Sequence, residues 1–173
     1  VLTLAGCATV APDGQRGEVA QLTSGKTGGV EVSLTTPKAE SNKLVSELLA
    51  QPIDGDSAVR IALLNNPGLQ AAFAQLAISD AERVQAGRLP NPHLSLGALR
   101  ENELRTINRA ISFDILGLLT LPWRSAWQSQ QTELAKLQAA QEVVRLAADT
   151  RKAWINAVAA QQTASYMRDV KQG

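Results

Sequence analysis

Apolar residues recur at helical spacing in the middle of the chain and predict two helices separated by a short break. The first helix is expected to start after Asp54, because aspartate commonly caps helix N-termini. An Asn-Asn-Pro sequence then ends it, since proline disfavours helical geometry at the residue before it. Pro67 suits the first turn of the second helix, with Asn66 as its cap. Gly87 is expected to end that helix in the left-handed conformation.

Beyond Pro90 and Pro92 the pattern alternates with a period of two, which predicts two β-strands. The first is expected at about residues 93–100 and the second at about residues 107–119. The second strand separates apolar from polar side chains, with Ile107, Ile111, Phe113 and Ile115 on one face and Asn108, Ser112 and Asp114 on the other. Transmembrane barrel strands alternate in this way, apolar towards lipid and polar towards a wet lumen. An amphipathic hairpin on a soluble core shows the same pattern, and Asp114 fits either the lumen or the rim of a barrel.

From Trp123 to Gln172 the sequence contains neither proline nor glycine and is rich in helix formers, which predicts one long helix. About fifty residues that rise 1.5 Å each give a rod of roughly 75 Å. Its apolar stripe approximates a spacing of three and four residues, at Leu134, Leu137, Val144, Ala148, Ile155 and Val158. Because a chain of this length cannot bury that stripe, we expect a further segment or another subunit to cover it. The small residues Ala139, Ala140, Ala147, Ala157 and Ala160 would let a neighbouring helix approach closely.

The first residues read as the end of a secretory signal followed by a cysteine. Leu4-Ala5-Gly6-Cys7 resembles the bacterial lipobox, in which the cysteine thiol receives a diacylglycerol and becomes the mature N-terminus. Residues 1–7 are therefore expected to be the end of a signal peptide, and Cys7 is the candidate lipidation site. A chance match, or a buried cysteine in a short apolar strand, is the alternative. Ala8 stands where enteric lipoproteins of the inner membrane carry aspartate, which favours the outer membrane.

Composition separates residues 8–50 from the rest of the chain. This stretch is rich in glycine, serine and threonine, carries no aromatic residue, and is expected to form an extended linker or strap. Over the whole chain 17 Lys and Arg nearly balance 16 Asp and Glu, whereas a nucleic-acid binder would show a basic surplus. One cysteine excludes an internal disulfide, and one histidine excludes a His-rich metal site.

Few residues suggest specific chemistry. His93 follows two prolines, but no cluster of Cys, His or acidic residues accompanies it, so we interpret it as a strand-start residue and predict no metal site. Trp123 and Trp127 are one helical turn apart and fit either an interfacial aromatic belt or simple packing at the junction of strand and helix. A solvated helix face is predicted at Asp149, Arg151 and Lys152. The sequence has neither a glycine-rich phosphate loop nor a nucleophile elbow, so we expect no enzyme, catalytic residue or cofactor.

Three stretches of the sequence, in this order, resemble the TolC-like outer-membrane factors. They are residues 52–72, with the Asn-Asn-Pro break, residues 85–96, with the motif QAGRLPNPHLSL, and a second strand that leads into a long helix rich in alanine and glutamine. In that family the break separates two short helices, and the Leu-Pro motif marks the passage from helix to barrel strand. The resemblance covers about residues 52–173, and the lipobox adds the lipoprotein branch. The ordered combination is specific, although no single motif is decisive.

The resemblance implies a mainly α fold with a membrane β-hairpin, namely a long α-helical barrel joined to a shared transmembrane β-barrel. Residues 51–88 would be the paired helices, residues 89–121 two barrel strands, and residues 122–173 the start of a long periplasmic helix. Only the first of two repeats would then be present, as an N-terminal fragment. Family members form homotrimers, and each subunit gives four strands to the barrel.

The same resemblance implies a passive exit duct of an efflux or export system, anchored by lipid in the outer membrane and extending into the periplasm. Its partners would be an inner-membrane pump, a periplasmic adaptor protein and outer-membrane lipid, but no nucleic acid. Drug, metal-ion and protein exporters share this scaffold, so the cargo stays open. Two other classes remain: a periplasmic adaptor lipoprotein, which the helix pair before the strands disfavours, and a lipid-anchored coiled-coil scaffold without a channel.

Overall fold

A computed structural model describes residues 9–101 and 104–172 of the chain. Within these ranges the chain is mainly helical, with five helices and one antiparallel sheet of two strands. The elements are α1 (Arg16–Thr23), α2 (Lys38–Leu49), α3 (Gly55–Asn65), α4 (Pro67–Ala86), β1 (His93–Glu101), β2 (Leu104–Ser112) and α5 (Ile115–Gln172). The prediction of a mainly α chain with a small β-hairpin is confirmed at this level of detail.

The break between α3 and α4 follows from local side-chain chemistry. Asp54 caps α3 by accepting a hydrogen bond from the Ser57 N–H at 2.7 Å, as predicted. Asn66 caps α4 by accepting from the Leu69 N–H at 3.0 Å, and Pro67 is the first residue of that helix. The prediction for Gly87 was wrong, because its φ of −81° is right-handed.

The boundary between β2 and α5 differs from the prediction. β2 ends at Ser112, and the residues from Ile115 onward are helical rather than extended. The cause is Asp114, whose carboxylate accepts from the Gly117 N–H at 2.8 Å and so starts the helix. Asp114 is therefore a capping residue at the hairpin–helix junction and not a member of the polar strand face. Pro122 lies inside α5, where it removes one backbone hydrogen bond without ending the helix.

Residues 9–50, expected as a linker, fold against the other helices, and we call them the N-terminal strap. They contain α1 and α2, and they contribute Val19, Val30 and Leu34 to the hydrophobic core. Several of the strap's glycines adopt positive φ angles, including Gly14 at 60° and Gly28 at 70°. These glycines therefore form fixed turns in the left-handed conformation. A residue without a side chain adopts this conformation at little cost.

One hydrophobic core joins the strap to α3, α4 and α5. Its buried members are Val19, Val30, Leu34, Val59, Leu63, Leu69, Phe73, Leu76, Ala139, Ala140, Val143 and Ala147. Ala139, Ala140 and Ala147 of α5 are buried here, as their small size predicted, whereas Ala157 and Ala160 are exposed. The predicted stripe of α5 lies on the other face, where Leu134 and Leu137 are more than half exposed. Hence α5 has a partner within the chain, but its leucine stripe does not meet it.

Candidate functional site

The β-hairpin has one apolar face and one face of small or polar residues. Antiparallel pairing runs from His93 opposite Ser112 to Glu101 opposite Leu104. Residues directly opposite each other share a face of the sheet. The apolar face contains the pairs Leu94–Ile111, Leu96–Arg109 and Ala98–Ile107, and the other face contains His93–Ser112, Ser95–Ala110 and Gly97–Asn108. Arg109 is the one charged residue among these six pairs.

The apolar face of the hairpin is not covered by the helices, and it leads directly into an equally exposed start of α5. Leu96, for example, is 71% exposed and Trp123 is 73% exposed. We call the following residues, each more than half exposed, the apolar belt: Leu94, Leu96, Ile107, Ile111, Phe113, Ile115, Leu116, Leu118, Leu119, Trp123 and Trp127. Apolar groups in this number on a surface mark a place where protein or lipid binds. Both tryptophans predicted for an aromatic belt or for packing are thus on the surface.

Tight packing at Gly117 and hydrogen bonds from α5 hold the belt next to the end of α4. Gly117 is buried, and a Cβ atom there would lie 2.9 Å from Pro90 Cγ and would also collide with the Asp114 carboxylate. Arg124 donates from Nε to the Ala86 carbonyl oxygen at 3.1 Å and from Nη2 to the Arg88 carbonyl oxygen at 3.3 Å. These contacts satisfy carbonyl groups at the C-terminal end of α4 and orient α5 as it leaves the hairpin.

A buried carboxylate fixes the N-terminal strap to α4. Asp80 is fully buried, and its Oδ2 accepts from the Ala11 N–H at 2.8 Å while its Oδ1 accepts from Gln15 Nε2 at 2.6 Å. Arg83 donates to the same Oδ1 from Nε and Nη2. Burial raises the pKa of Asp80, but the hydrogen bonds from Ala11, Arg83 and Gln15 outweigh it and hold the pKa below its ordinary value. Asp80 is therefore ionised and paired at neutral pH.

Two further polar contacts fix the strap to α5. Lys136 is buried and its ammonium pairs with Glu18 of α1 and with Glu133. Burial lowers the pKa of Lys136, and the two carboxylates more than offset this and raise it. Arg151 donates to the carbonyl oxygen of Gly28 at 3.2 Å and pairs with Asp56. The prediction of a purely solvated face at Asp149, Arg151 and Lys152 is thus wrong for Arg151.

The remaining sequence-predicted residues have different outcomes. His93 begins β1, as predicted, and in the described ranges no three side chains of the His, Cys, Asp or Glu type come together as a metal site requires. Cys7, the candidate lipidation site, lies outside the described residues. No helix within residues 9–101 and 104–172 combines the length and apolarity needed to cross a membrane.

Sequence reasoning did not single out Asp80, Gln15 or Lys136. A signal existed at Asp80, which stands at an apolar position of the α4 pattern beside Leu76 and Val84. A charged residue at such a position is normally paired. The sequence did not reveal the partners of Asp80, because Gln15 is 65 residues away in a stretch whose composition resembles a linker.

Comparison of the chain with known proteins gives no relative. No protein-family model, curated protein or solved structure matches it.

Proposed function

We propose that this chain supplies the first strand pair and the first long helix of a lipid-anchored outer-membrane exit duct of the TolC-like type. The observation that carries the proposal is the apolar belt. It includes the apolar face of the hairpin, which is exposed, whereas the hydrophobic core of the chain is buried between the strap, α3, α4 and α5. Apolar-out and polar-in alternation is what a barrel strand in a membrane requires. The polar face, with Ser95, Asn108 and Ser112, would then line a wet lumen.

Unpaired strand edges support an assembly of several subunits. In lipid, each backbone N–H and C=O group needs a partner, so strands must close into a barrel. A small barrel needs about eight strands, and three copies of this hairpin supply six. A homotrimer in which each subunit adds a second strand pair would meet the requirement, as in the family that the sequence resembles.

Among the six pairs described above, Arg109 is the residue on the apolar face that fits lipid least well. It lies three residues from the end of β2, where the hairpin joins α5. Arg109 is thus next to the middle of β2 and about 10 Å from its end, so its long side chain would have to extend along the strand to carry the guanidinium to the membrane–water interface. Trp123 and Trp127, at the same end of the hairpin, have the amphipathic character typical of residues at that interface.

The outer part of α5, from Ile155 to Gln172, extends beyond the last contact of Trp154 with the rest of the chain. Tyr166, Met167 and Val170 are exposed there. In an exit duct such helices form the wall of a periplasmic tunnel and contact an adaptor protein, and cargo delivered by an inner-membrane pump diffuses through. No catalysis and no cofactor enter this function.

Membrane extraction of the native protein tests the proposal. A Cys7→Ser variant, carried by a non-lipoprotein export signal, should lose the incorporation of radioactive fatty acid that the unaltered protein shows. It should nevertheless stay in the outer-membrane fraction after carbonate treatment and be released only by detergent, because the barrel strands hold it. Release of the variant by carbonate would contradict the duct. That result would favour the adaptor lipoprotein or the coiled-coil scaffold, both of which depend on the lipid alone.

A further inference from the structure

From Ala11 to Gly28 the N-terminal strap runs along the body away from the hairpin, and it then turns back, since the Leu34 carbonyl oxygen accepts from Arg16. Ala11 and Gln15 contact Asp80, which is next to the Ser79 carbonyl that accepts from Thr132 of α5 at 3.1 Å. Further along the strap, Glu18 pairs with Lys136, and Gly28 accepts from Arg151. The positions on α5 therefore increase from 132 to 136 to 151 as the strap proceeds. The first described residues of the chain thus lie at the hairpin end of the body.

The contact at Asp80 is the first of these contacts along the strap, and several hydrogen bonds hold it. Its carboxylate is fully buried and accepts from the Ala11 backbone, the Gln15 side chain and Arg83. The turn that presents these donors is strained, because Gln15 has a φ of 63°. Asp13 supports the turn by accepting from the Gln15 N–H at 3.0 Å. A non-glycine residue in this conformation indicates that the surrounding contacts determine it.

The number of residues before Ala11 limits the distance between Cys7 and the Asp80 contact. Ala11 is four positions after Cys7, and an extended chain spans at most about 14 Å over that length. Along α5, Trp127 lies five residues and Trp123 nine residues before Thr132, which corresponds to roughly 8 Å and 14 Å of helix. The chain between Cys7 and Ala11 is therefore long enough to span the distance from the Asp80 contact to the level of the two tryptophans of the apolar belt.

We propose that Asp80 is a latch that holds the start of the N-terminal strap at the hairpin end of the body, so that a lipid on Cys7 and the apolar belt enter the same membrane surface. The lipid part of this inference rests on the proposed function. The latch itself rests on the hydrogen bonds of Asp80 and on the direction of the strap. Asp80 is in this sense a positioning residue, which acts on the membrane only through the strap.

Hydrogen exchange measures the latch directly. In an Asp80→Asn variant, one of the two acceptor oxygens is lost, and the amides of residues 11–23 should exchange at least about tenfold faster, a larger factor than for the amides of α3. Asp149→Asn, an exposed aspartate on α5, is the matched control and should change neither region. Unchanged exchange in the strap would overturn the latch, and an equal loss of protection in α3 would reduce Asp80 to a general core residue.

A reversible cross-link tests whether attachment of the strap to α4, rather than the carboxylate itself, slows amide exchange in the strap. A Cβ atom on Gly14 would lie 3.2 Å from the Cβ of Ala77, close to the separation that a disulfide needs. In the triple variant Gly14→Cys, Ala77→Cys and Asp80→Asn, oxidation should restore slow exchange of the strap, and reduction should abolish it again. Fast exchange in the oxidised protein would contradict closure at this position.

A double-mutant cycle in the native protein tests the link to the membrane. Asp80→Asn should lower the yield of detergent-resistant trimers in the outer membrane several-fold when Cys7 is present, and should have no additional effect in the Cys7→Ser background. An equal loss in both backgrounds would overturn the positioning role. If the unaltered protein incorporates no fatty acid, the proposed lipid anchor is wrong, and with it the membrane part of this inference. The exchange result would still decide the latch.

Discussion

The strap-covered body and the apolar belt use similar side chains in opposite ways. The chain has two phenylalanines: Phe73 is 1% exposed in the core, and Phe113 is 69% exposed between β2 and α5. In the body, polar contacts at Asp80, Lys136 and Arg151 hold the strap over the buried apolar groups. In the belt, no comparable polar contacts cover the leucines and isoleucines within the described residues. Within the described residues, the body thus buries its apolar groups, whereas the belt leaves them exposed on the surface.

The largest expected effect separates the two phenylalanines. Phe73→Ala removes a fully buried ring beneath Arg16, whose guanidinium carbon lies 4.7 Å from the ring centre. Such a truncation costs about 3–5 kcal/mol of unfolding free energy. Phe113→Ala removes an exposed ring and should change the stability of the helical body by no more than about 0.5 kcal/mol. Urea unfolding in detergent, followed by helical circular dichroism, measures both, and equal losses would remove the distinction between body and belt.

A smaller, pH-dependent effect on the free energy of unfolding is expected at Asp80. Asp80→Asn should cost about 1–3 kcal/mol at neutral pH, because buried donors lose an acceptor. The pKa of Asp80 is lowered in the folded protein from its ordinary value of 3.8. Its stabilisation is therefore complete above that value and is lost as the pH falls through the folded pKa. The stability difference between the two proteins should be constant from pH 5 to 8 and shrink below about pH 4. A constant difference at all pH values would exclude the ionised carboxylate as the cause.

The smallest expected effect concerns the junction between hairpin and body. Asp114→Ala removes the side chain that caps α5 and should cost about 1 kcal/mol. Its consequence should be local, with faster amide exchange at Gly117 and Leu118 and unchanged exchange in α4. Asp169→Ala, near the other end of α5, is a control of the same type and should leave the junction unaffected. If Asp114→Ala left exchange at Gly117 unchanged, another group would start the helix.

Local signals in the sequence predicted the elements that local chemistry determines. Asp54, Asn66 and Pro67 were readable because caps and proline act within one helical turn. The end of β2 was not, because Asp114 fits a polar strand position as well as a helix cap. The exposed apolar residues from Ile115 to Leu119 show neither period clearly, and the predicted helix start at Trp123 lies eight residues too late.

Long-range contacts explain what the sequence did not show. The polar, glycine-rich composition of residues 9–50 favoured an extended linker or strap, and it did not reveal that Val19, Val30 and Leu34 join the core. Its helices are short, and such helices depend on packing more than on propensity. The leucine stripe of α5 was recognised, but the face that the body buries carries Val143 and small alanines, and its continuation through Thr132 and Lys136 is polar, so it stands out less than the leucines.

The central claim is that the apolar face of the hairpin contacts lipid, and two neighbouring substitutions at the middle of β2 test it most directly. Ile107 lies opposite Ala98 on the apolar face, and Asn108 lies opposite Gly97 on the other face. Arginine at mid-membrane on the lipid side costs about 2–4 kcal/mol, whereas a wet lumen tolerates it. The yield of detergent-resistant trimers in the outer membrane should therefore fall sharply for Ile107→Arg and stay near that of the unaltered protein for Asn108→Arg. Equal assembly of both variants, or greater damage from Asn108→Arg, would contradict the proposed orientation of the hairpin.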